Sequence, residues 1–511
     1  MIRVVAFSIC AALALPAIAQ DFDLVIQNGR VMDPETNLDA IRNVGINGGR
    51  IEVVTDADIS GAEVIDATGH VVAPGFIDLH WHGQNPFGIK LALRGGVTTA
   101  LELELGAYPV EAYYDSKAGK MQANYGTSAS HLGARLQWLD GIVSDVGGQP
   151  LFSDAVNRAA QDGSKWSTER TGYRSPERAQ IVAAVEDSLR QGALGIGFPI
   201  GYATAVSGSE LTDIAVMAKK YNAFFQTHVR YISQVPPSGY LAVQELIAVA
   251  QASGVGIIVS HVPSNCLGVT QDCLDLINDA RENGLNIASE FYPWTRGSSI
   301  IGADYLGDGF QERTGMDFSD LQIVATGEVL TEESFNKYRA ESPGEAMIMS
   351  HIAEEDMMIA LADPLTFVGS DAFFFIDERG MPVGWDTPYD QPNGHPRAAG
   401  TSGKFLRLVR ETGVITLMHA IAKLSYYQAS FLEDMVPDMA VRGRIQPGMA
   451  ADITIFDPAT VTENATYEAG ENALPTTGIP YVIVNGTVVV RDSEVLKDVY
   501  PGQPIRNEIL D

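Results

Sequence analysis

From about residue 85 the chain repeats one rhythm over roughly 350 residues: a short apolar run, a helical pattern, another apolar run. The runs are GVTTALELEL (96–105), GALGIGF (192–198), AFFQTHV (223–229), GVGIIVSHV (254–262), LNIASEFYPW (285–294) and LTFVGSDA (365–372). Stretches between them, such as SPERAQIVAAVEDSLRQ and YLAVQELIAVAQAS, place apolar residues at i, i+3 and i+4, the spacing of one helix face. Alternation of this length predicts a parallel sheet with crossover helices. The number of runs favours a (β/α)8 barrel, an α/β fold, over an open sheet. No glycine-rich phosphate loop follows the first strand, which argues against a dinucleotide-binding sheet.

Both ends have a different texture. DFDLVIQNGRVMDPETNLDAIRNVGINGGRIEVV alternates apolar and polar residues around Asn-Gly and Gly-Gly turns, and GRIQPGMAADITIFDP and YVIVNGTVVVRD look alike in style. The expected organisation is a small β-sandwich domain built from 20–75 and 436–511, with the barrel, 76–435, inserted between them. Residues 1–19 read as a signal peptide: Arg3, an apolar stretch of about a dozen residues too short to span a bilayer, and the cleavage site Ala17-Ile18-Ala19. A secreted protein is expected, periplasmic where the host has two membranes. Cys266 and Cys273 would remain after cleavage, either as a short disulfide loop or as two buried thiols.

A parallel barrel builds its active site at the carboxyl ends of its strands. His80 and His82 end the first apolar run, in GFIDLHWHGQ, and Glu102 and Glu104 end the second. His228, His261 and Asp371 end three later ones. Singly, each has an ordinary explanation as a core histidine or a helix cap. Together they gather metal-ligand types where a barrel would bring them to one mouth. Residues i and i+2 of a strand face one side, so His80 and His82 would aim at one ion, and Glu102 and Glu104 share a face likewise. Imidazole and carboxylate suit Zn²⁺, one ion or two, with Mn²⁺, Fe²⁺ and Co²⁺ also matching. A metal would lower the pKa of a bound water, and Asp371 would take that water's proton and deliver it to the leaving group. The expected reaction is hydrolysis of an amide or related C–N bond.

The formal net charge is −30, spread along the chain. Such a surface repels phosphate backbones and anionic lipids, so nucleic acid and membrane are not the expected partners. A small-molecule amide is. A homo-oligomer is compatible with the chain.

PGFIDLHWH, THV, SHV and GSDA, held between β-textured ends, resemble the amidohydrolase superfamily. Within it, FFQTHVRY, VSHVPSN, EFYPWTRGSS, GHPRAAGTSGKFL and GRIQPGMAADITIFDP resemble the D-aminoacylase (N-acyl-D-amino-acid deacylase) family. The resemblance runs from about residue 22 to 490 and implies a (β/α)8 barrel, a small β-sandwich and zinc. It implies that His80 and His82 hold one metal position and His228 and His261 the other. It also implies that Asp371 is the general base, that Arg397 meets the substrate carboxylate, and that Tyr292 and Ser298 or Ser299 line the pocket. Arg230 is a further pocket residue, and Arg296 another. Arginine suits a carboxylate because its planar fork binds both oxygens.

Two departures stand out. The family commonly carries a cysteine after the second strand. Here the segment is GVTTALELELG, which makes Glu104 the expected bridging ligand with Glu102 in reserve. The family often has a lysine two residues after the SHV histidine, where this chain has Pro263. The alternatives are another reaction of the superfamily (dipeptidase, cyclic-amide hydrolase or deaminase) or a non-catalytic binding protein that kept the barrel.

Overall fold

The structure, a computed structural model, describes residues 21–143 and 154–510. The proposed signal peptide, 1–19, lies outside them.

Eight parallel strands run in sequence order around the barrel: Phe76–Asp78, Val97–Ala107, Asn124–Ser130, Ile196–Gly197, Phe224–Thr227, Gly256–Val259, Ile287–Phe291 and Phe367–Val368. Ladders join each to the next. Trp81 and Ala372 close the ring through a parallel bridge, with the His82 amide donating to the Ala372 carbonyl at 2.7 Å. Closure therefore falls on the loop that carries two of the strand-end histidines.

The crossover helices form where the sequence patterns place them. SPERAQIVAAVEDSLRQ becomes the helix Pro176–Arg190, capped by the Ser175 side chain accepting from the Arg178 amide. YLAVQELIAVAQAS lies in Gly239–Ser253 and ends at Gly254, whose φ of +72° suits glycine. The third barrel strand gave no apolar run. Asn124–Ser130 reads NYGTSAS, small and polar, and is held by its two neighbours rather than by its own hydrophobicity.

The two chain ends share one nine-stranded sheet. Val71–Pro74 pairs antiparallel with Ile453–Phe456, bringing residues some 380 positions apart into one ladder. Ile26, Val44, Ile46, Val72, Ile453 and Ile483 are buried in one cluster there. Burial of each such side chain contributes roughly 1.5–3 kcal/mol.

Between the seventh and eighth barrel strands the chain builds a small antiparallel sheet from Arg296–Ile300, Leu321–Ile323 and Ala346–Ser350. This insertion brings Arg296, Ser298 and His351 to the side of the barrel mouth. Cys266 and Cys273 form a disulfide that staples the loop after His261 to the following helix, Thr270–Glu282. No described helix is long and apolar enough to cross a membrane.

Candidate metal centre

The strand-end residues converge. Glu104 lies at the middle with its two oxygens turned to two pairs of imidazoles. Its Oε2 is 3.2 Å from His80 Nε2 and 3.6 Å from His82 Nε2. Its Oε1 is 3.3 Å from His228 Nδ1 and 3.2 Å from His261 Nε2. Asp371 stands across from it, Oδ1 3.4 Å from both His80 Nε2 and His82 Nε2, and Oδ2 3.9 Å from His261 Nε2. All six side chains are buried. Two overlapping ligand groups result, His80–Glu104–His261 and His80–His82–Asp371.

The donor set fits a metal. His80 Nε2 meets both carboxylates without the alignment of a hydrogen bond, and neither ring nitrogen of His228 makes one among the described residues. Buried polar atoms without partners are costly, and a shared cation would satisfy them together. Two of the four rings, those of His80 and His82, are backed by carboxylates on their far sides, an arrangement that orients metal-bound histidines. His80 Nδ1 is paired with Glu290, and His82 Nδ1 lies 2.8 Å from Glu102 Oε2. Glu102, the reserve ligand in the sequence reading, thus orients His82 instead of facing the centre.

Glu290 is a residue that sequence reasoning left without a role. It sits inside the apolar run IASEFYPW, where Gln226 Nε2 donates to it at 3.2 Å. A lone acid at a buried strand end is the signal that could have found it. Asp78 is another. Its carboxylate accepts from the amides of His80 (2.9 Å) and Ser370 (3.1 Å), tying the first barrel loop to the eighth. Burial pushes that carboxyl up to about 6.

Backbone strain falls on site residues. His261 has φ +30° and Asp371 φ +52°. Non-glycine residues avoid this region at a cost of about 1–3 kcal/mol each, and functional sites are where it is retained. Gly201 is needed at the same place, since a Cβ there would come 2.3 Å from His228 Cδ2.

The pocket residues divide. Arg397 opens the helix Arg397–Thr412, fully buried between the rings of Tyr292 (4.9 Å) and Phe373 (5.1 Å). Its Nη2 is 2.8 Å from Asp371 Oδ1, so it faces the carboxylate of the base itself, while Nε and Nη1 make no hydrogen bond among the described residues. Tyr292 also packs 6.1 Å from the His261 ring. Ser298 donates to the Met347 carbonyl at 3.0 Å and lines a small recess with Phe373 and His395. Ser299 belongs to a hydroxyl cluster with Tyr202 and Tyr305, two rings packed against His228. Arg230 does not join the site as expected. Its guanidinium is taken up by Glu245 at 2.6 Å and by the carbonyls of Thr204 and Val206, which brace the loop beyond the fifth strand. A sequence gives no sign of which neighbour claims an arginine.

The likeness to known proteins fits this geometry. Residues 271–490 match the model of the amidohydrolase family. An N-acyl-D-glutamate deacylase of Alcaligenes xylosoxydans xylosoxydans is 28% identical, covering 92% of this chain and 94% of its own. A D-aminoacylase from the same organism is 25% identical over 92% of this chain and 95% of its own. Residues 271–490 carry an amidohydrolase-family domain, and the chain over most of its length resembles the D-aminoacylases. The crystal structure of an N-acyl-D-glutamate deacylase from Bordetella bronchiseptica, complexed with zinc and a phosphonate inhibitor, superposes with a TM-score of 0.73 at 23% identity, covering 95% of this chain and all (100%) of that one. A D-aminoacylase described by its binuclear metal centre gives 0.74 at 22% identity, with 95% and 100% covered. Amidohydrolases of this kind hydrolyse C–N bonds other than peptide bonds.

Electrostatics separates the two halves of the centre. Burial alone would lower the His80 imidazole, but Glu290, Glu104 and Asp371 carry it well above its ordinary value. His82 is opposed by burial and raised by Glu102 and Asp371, to about 9. Burial holds His228 below its ordinary value. Burial would raise Glu104, yet the surrounding imidazoles pull it well below the carboxylate range. A metal entering the His80–His82 half must therefore displace protons. Raised histidine values stabilise the metal-free protein fully below the ordinary value of 6.5, and that contribution is lost as pH rises through about 9. Metal affinity is expected to climb over the same interval. Calorimetry of zinc binding near pH 7 in two buffers of different ionisation enthalpy should show at least about one proton released per ion. A heat independent of buffer would contradict the assignment.

Proposed function

We propose that this chain is a secreted amidohydrolase that removes the acyl group from N-acyl-D-amino acids, with zinc at the histidine centre and Asp371 as general base. The observation that carries the reading is the position of Asp371, which contacts the metal-ligand imidazoles on one side and the Arg397 guanidinium on the other. One carboxylate thus links the place where water would be activated to the place where a substrate carboxylate would be held.

His80, His82, His228, His261 and Glu104 would hold zinc, which when bound lowers the pKa of water and polarises the scissile carbonyl. Asp371 accepts the proton of the attacking water at a carboxylate oxygen and returns it to the leaving amine nitrogen. Burial would raise this carboxyl, but Arg397 and His80 keep it well below the usual range, so it is ionised at neutral pH. Arg397 offers Nε and Nη1 to the α-carboxylate, and Tyr292 supports its flat face. A buried guanidinium that meets Asp371 on one edge and leaves Nε and Nη1 without a hydrogen bond among the described residues has room for a second anion. The D-configuration and the acyl-amino-acid substrate rest on likeness to the relatives named above. Secretion is supported by residues 1–19 and by the disulfide, a bond of oxidising compartments.

Paired N-acetyl-D- and N-acetyl-L-amino acids test the reading, with the zinc-supplemented protein and free amine as readout. Release from the D-forms alone is expected. Release from L-forms, or from neither, would overturn it and turn attention to cyclic amides and dipeptides.

A further inference from the structure

A cleft of about 430 Å³ lies between the first two crossover helices, Pro86–Arg94 and Val110–Lys117, and the C-terminal segment at Lys497 and Tyr500. None of the residues lining it belongs to the metal centre. Pro86, Ile89, Met121, Trp385 and Tyr500 give it an apolar wall. Its size and its mostly apolar lining are those of a small-molecule site.

Lysines gather here. The chain has ten, and three of them, Lys117, Lys120 and Lys497, line the cleft. A fourth, Lys90, pins the segment that carries Trp385: its Nζ donates to the Trp385 carbonyl at 3.1 Å and lies 4.2 Å from the centre of the Tyr389 ring. In a chain of 64 acidic and 34 basic residues, this gathering runs against the general field of the molecule.

Two of the three lining ammonium groups have partners. Lys497 Nζ is 2.7 Å from Asp386, and Lys120 Nζ donates to the Ser116 carbonyl at 3.2 Å. Lys117 differs. It is half-buried, with its Nζ 4.3 Å from the centre of the Tyr113 ring, and among the described residues it makes neither a side-chain hydrogen bond nor an ion pair. Burial brings this ammonium down to about 8, against the pull of Glu102, so it stays mostly charged at neutral pH. The ring attracts one side of the cation. An ammonium has three donors, and the others remain for a ligand in the cleft.

We infer that this cleft is a second binding site, separate from the catalytic centre, for an apolar monocarboxylate whose body lies against Ile89, Met121 and Trp385 and whose carboxylate meets Lys117. One unpartnered ammonium matches one carboxylate, and lysine meets it as a point charge. A polyanion would bring more charge than this cation offsets and would meet Asp386 beside Lys497. A free fatty acid and an N-acyl amino acid with an apolar acyl chain present the same chemistry to such a site.

The test is calorimetric titration of zinc-loaded Asp371→Asn protein, so that no turnover intrudes, with tryptophan fluorescence followed in parallel. Octanoate should bind about tenfold or more tighter than either octanamide, which lacks the charge, or acetate, which lacks the body. Adding Lys117→Met should bring octanoate to within about twofold of octanamide, and Lys117→Arg should keep part of the preference. Trp385→Phe, which leaves Lys117 in place, is the independent control: it should remove most of the fluorescence change while the heat of binding persists. N-octanoyl-D-alanine then separates the two sources, since Lys117-dependent binding tighter than that of octanoate assigns the site to the acyl amino acid, and weaker binding assigns it to the free acid. No preference for octanoate, a preference that survives Lys117→Met, or a fluorescence change that survives Trp385→Phe overturns the inference. No arm reads hydrolysis, so failure of the hydrolase reading would leave this result standing.

Discussion

Asp371→Asn is expected to lower kcat on N-acyl-D-amino acids by on the order of 10³-fold while leaving zinc content unchanged. Asparagine keeps the shape and can still accept hydrogen bonds, but it cannot take a proton from water at neutral pH. It also tolerates the left-handed backbone that Asp371 adopts at φ +52°, so the loop should hold its course. The loss belongs to the proton transfer, and KM should change far less than kcat. Arg397 loses its buried partner in this variant, so the thermal midpoint should fall and is to be measured alongside. A variant that folds, binds zinc and turns over at the full rate would remove Asp371 from the role of base.

Glu104→Gln is expected to have an effect of similar size by a different route. The two carboxylate oxygens face opposite pairs of imidazoles, and a carboxamide offers only one oxygen as a ligand. Its NH2 group would point at imidazole nitrogens that need a cation. The variant should lose about one equivalent of metal and, with it, several kcal/mol of catalytic stabilisation, roughly a 10³-fold loss of rate. Glu102→Gln is the control. Glu102 orients His82 from behind, so its loss should weaken metal affinity by about 10–100-fold and be rescued by added zinc. Equal metal loss in both variants, without rescue, would erase the distinction between ligand and support.

The sequence made the barrel legible because apolar runs and helix faces have different periods, and both are long enough here to be read. It made His80 and His82 legible because a strand puts alternate residues on one face. Asn124–Ser130 escaped for the opposite reason: its stability comes from neighbours. Glu290 escaped because its partner, His80, is 210 residues away and only closure of the sheet brings them together. The choice between Glu102 and Glu104 was open for the same cause. Alternation puts them on one face, but depth in the barrel decides which one reaches the centre and which one backs a ring. Arg230 and Arg397 show where charge alone misleads, since one is absorbed by Glu245 and backbone carbonyls and the other leans on Asp371.

The central claim is that a metal held by the converging histidines and Glu104 activates water for hydrolysis of N-acyl-D-amino acids. The most direct test is to strip the protein of metal, titrate it with zinc, and follow amine release from the best D-substrate against bound metal. The account predicts no turnover in the stripped protein and a rate that rises with the first equivalents of zinc. Turnover that persists at full rate without metal would contradict it.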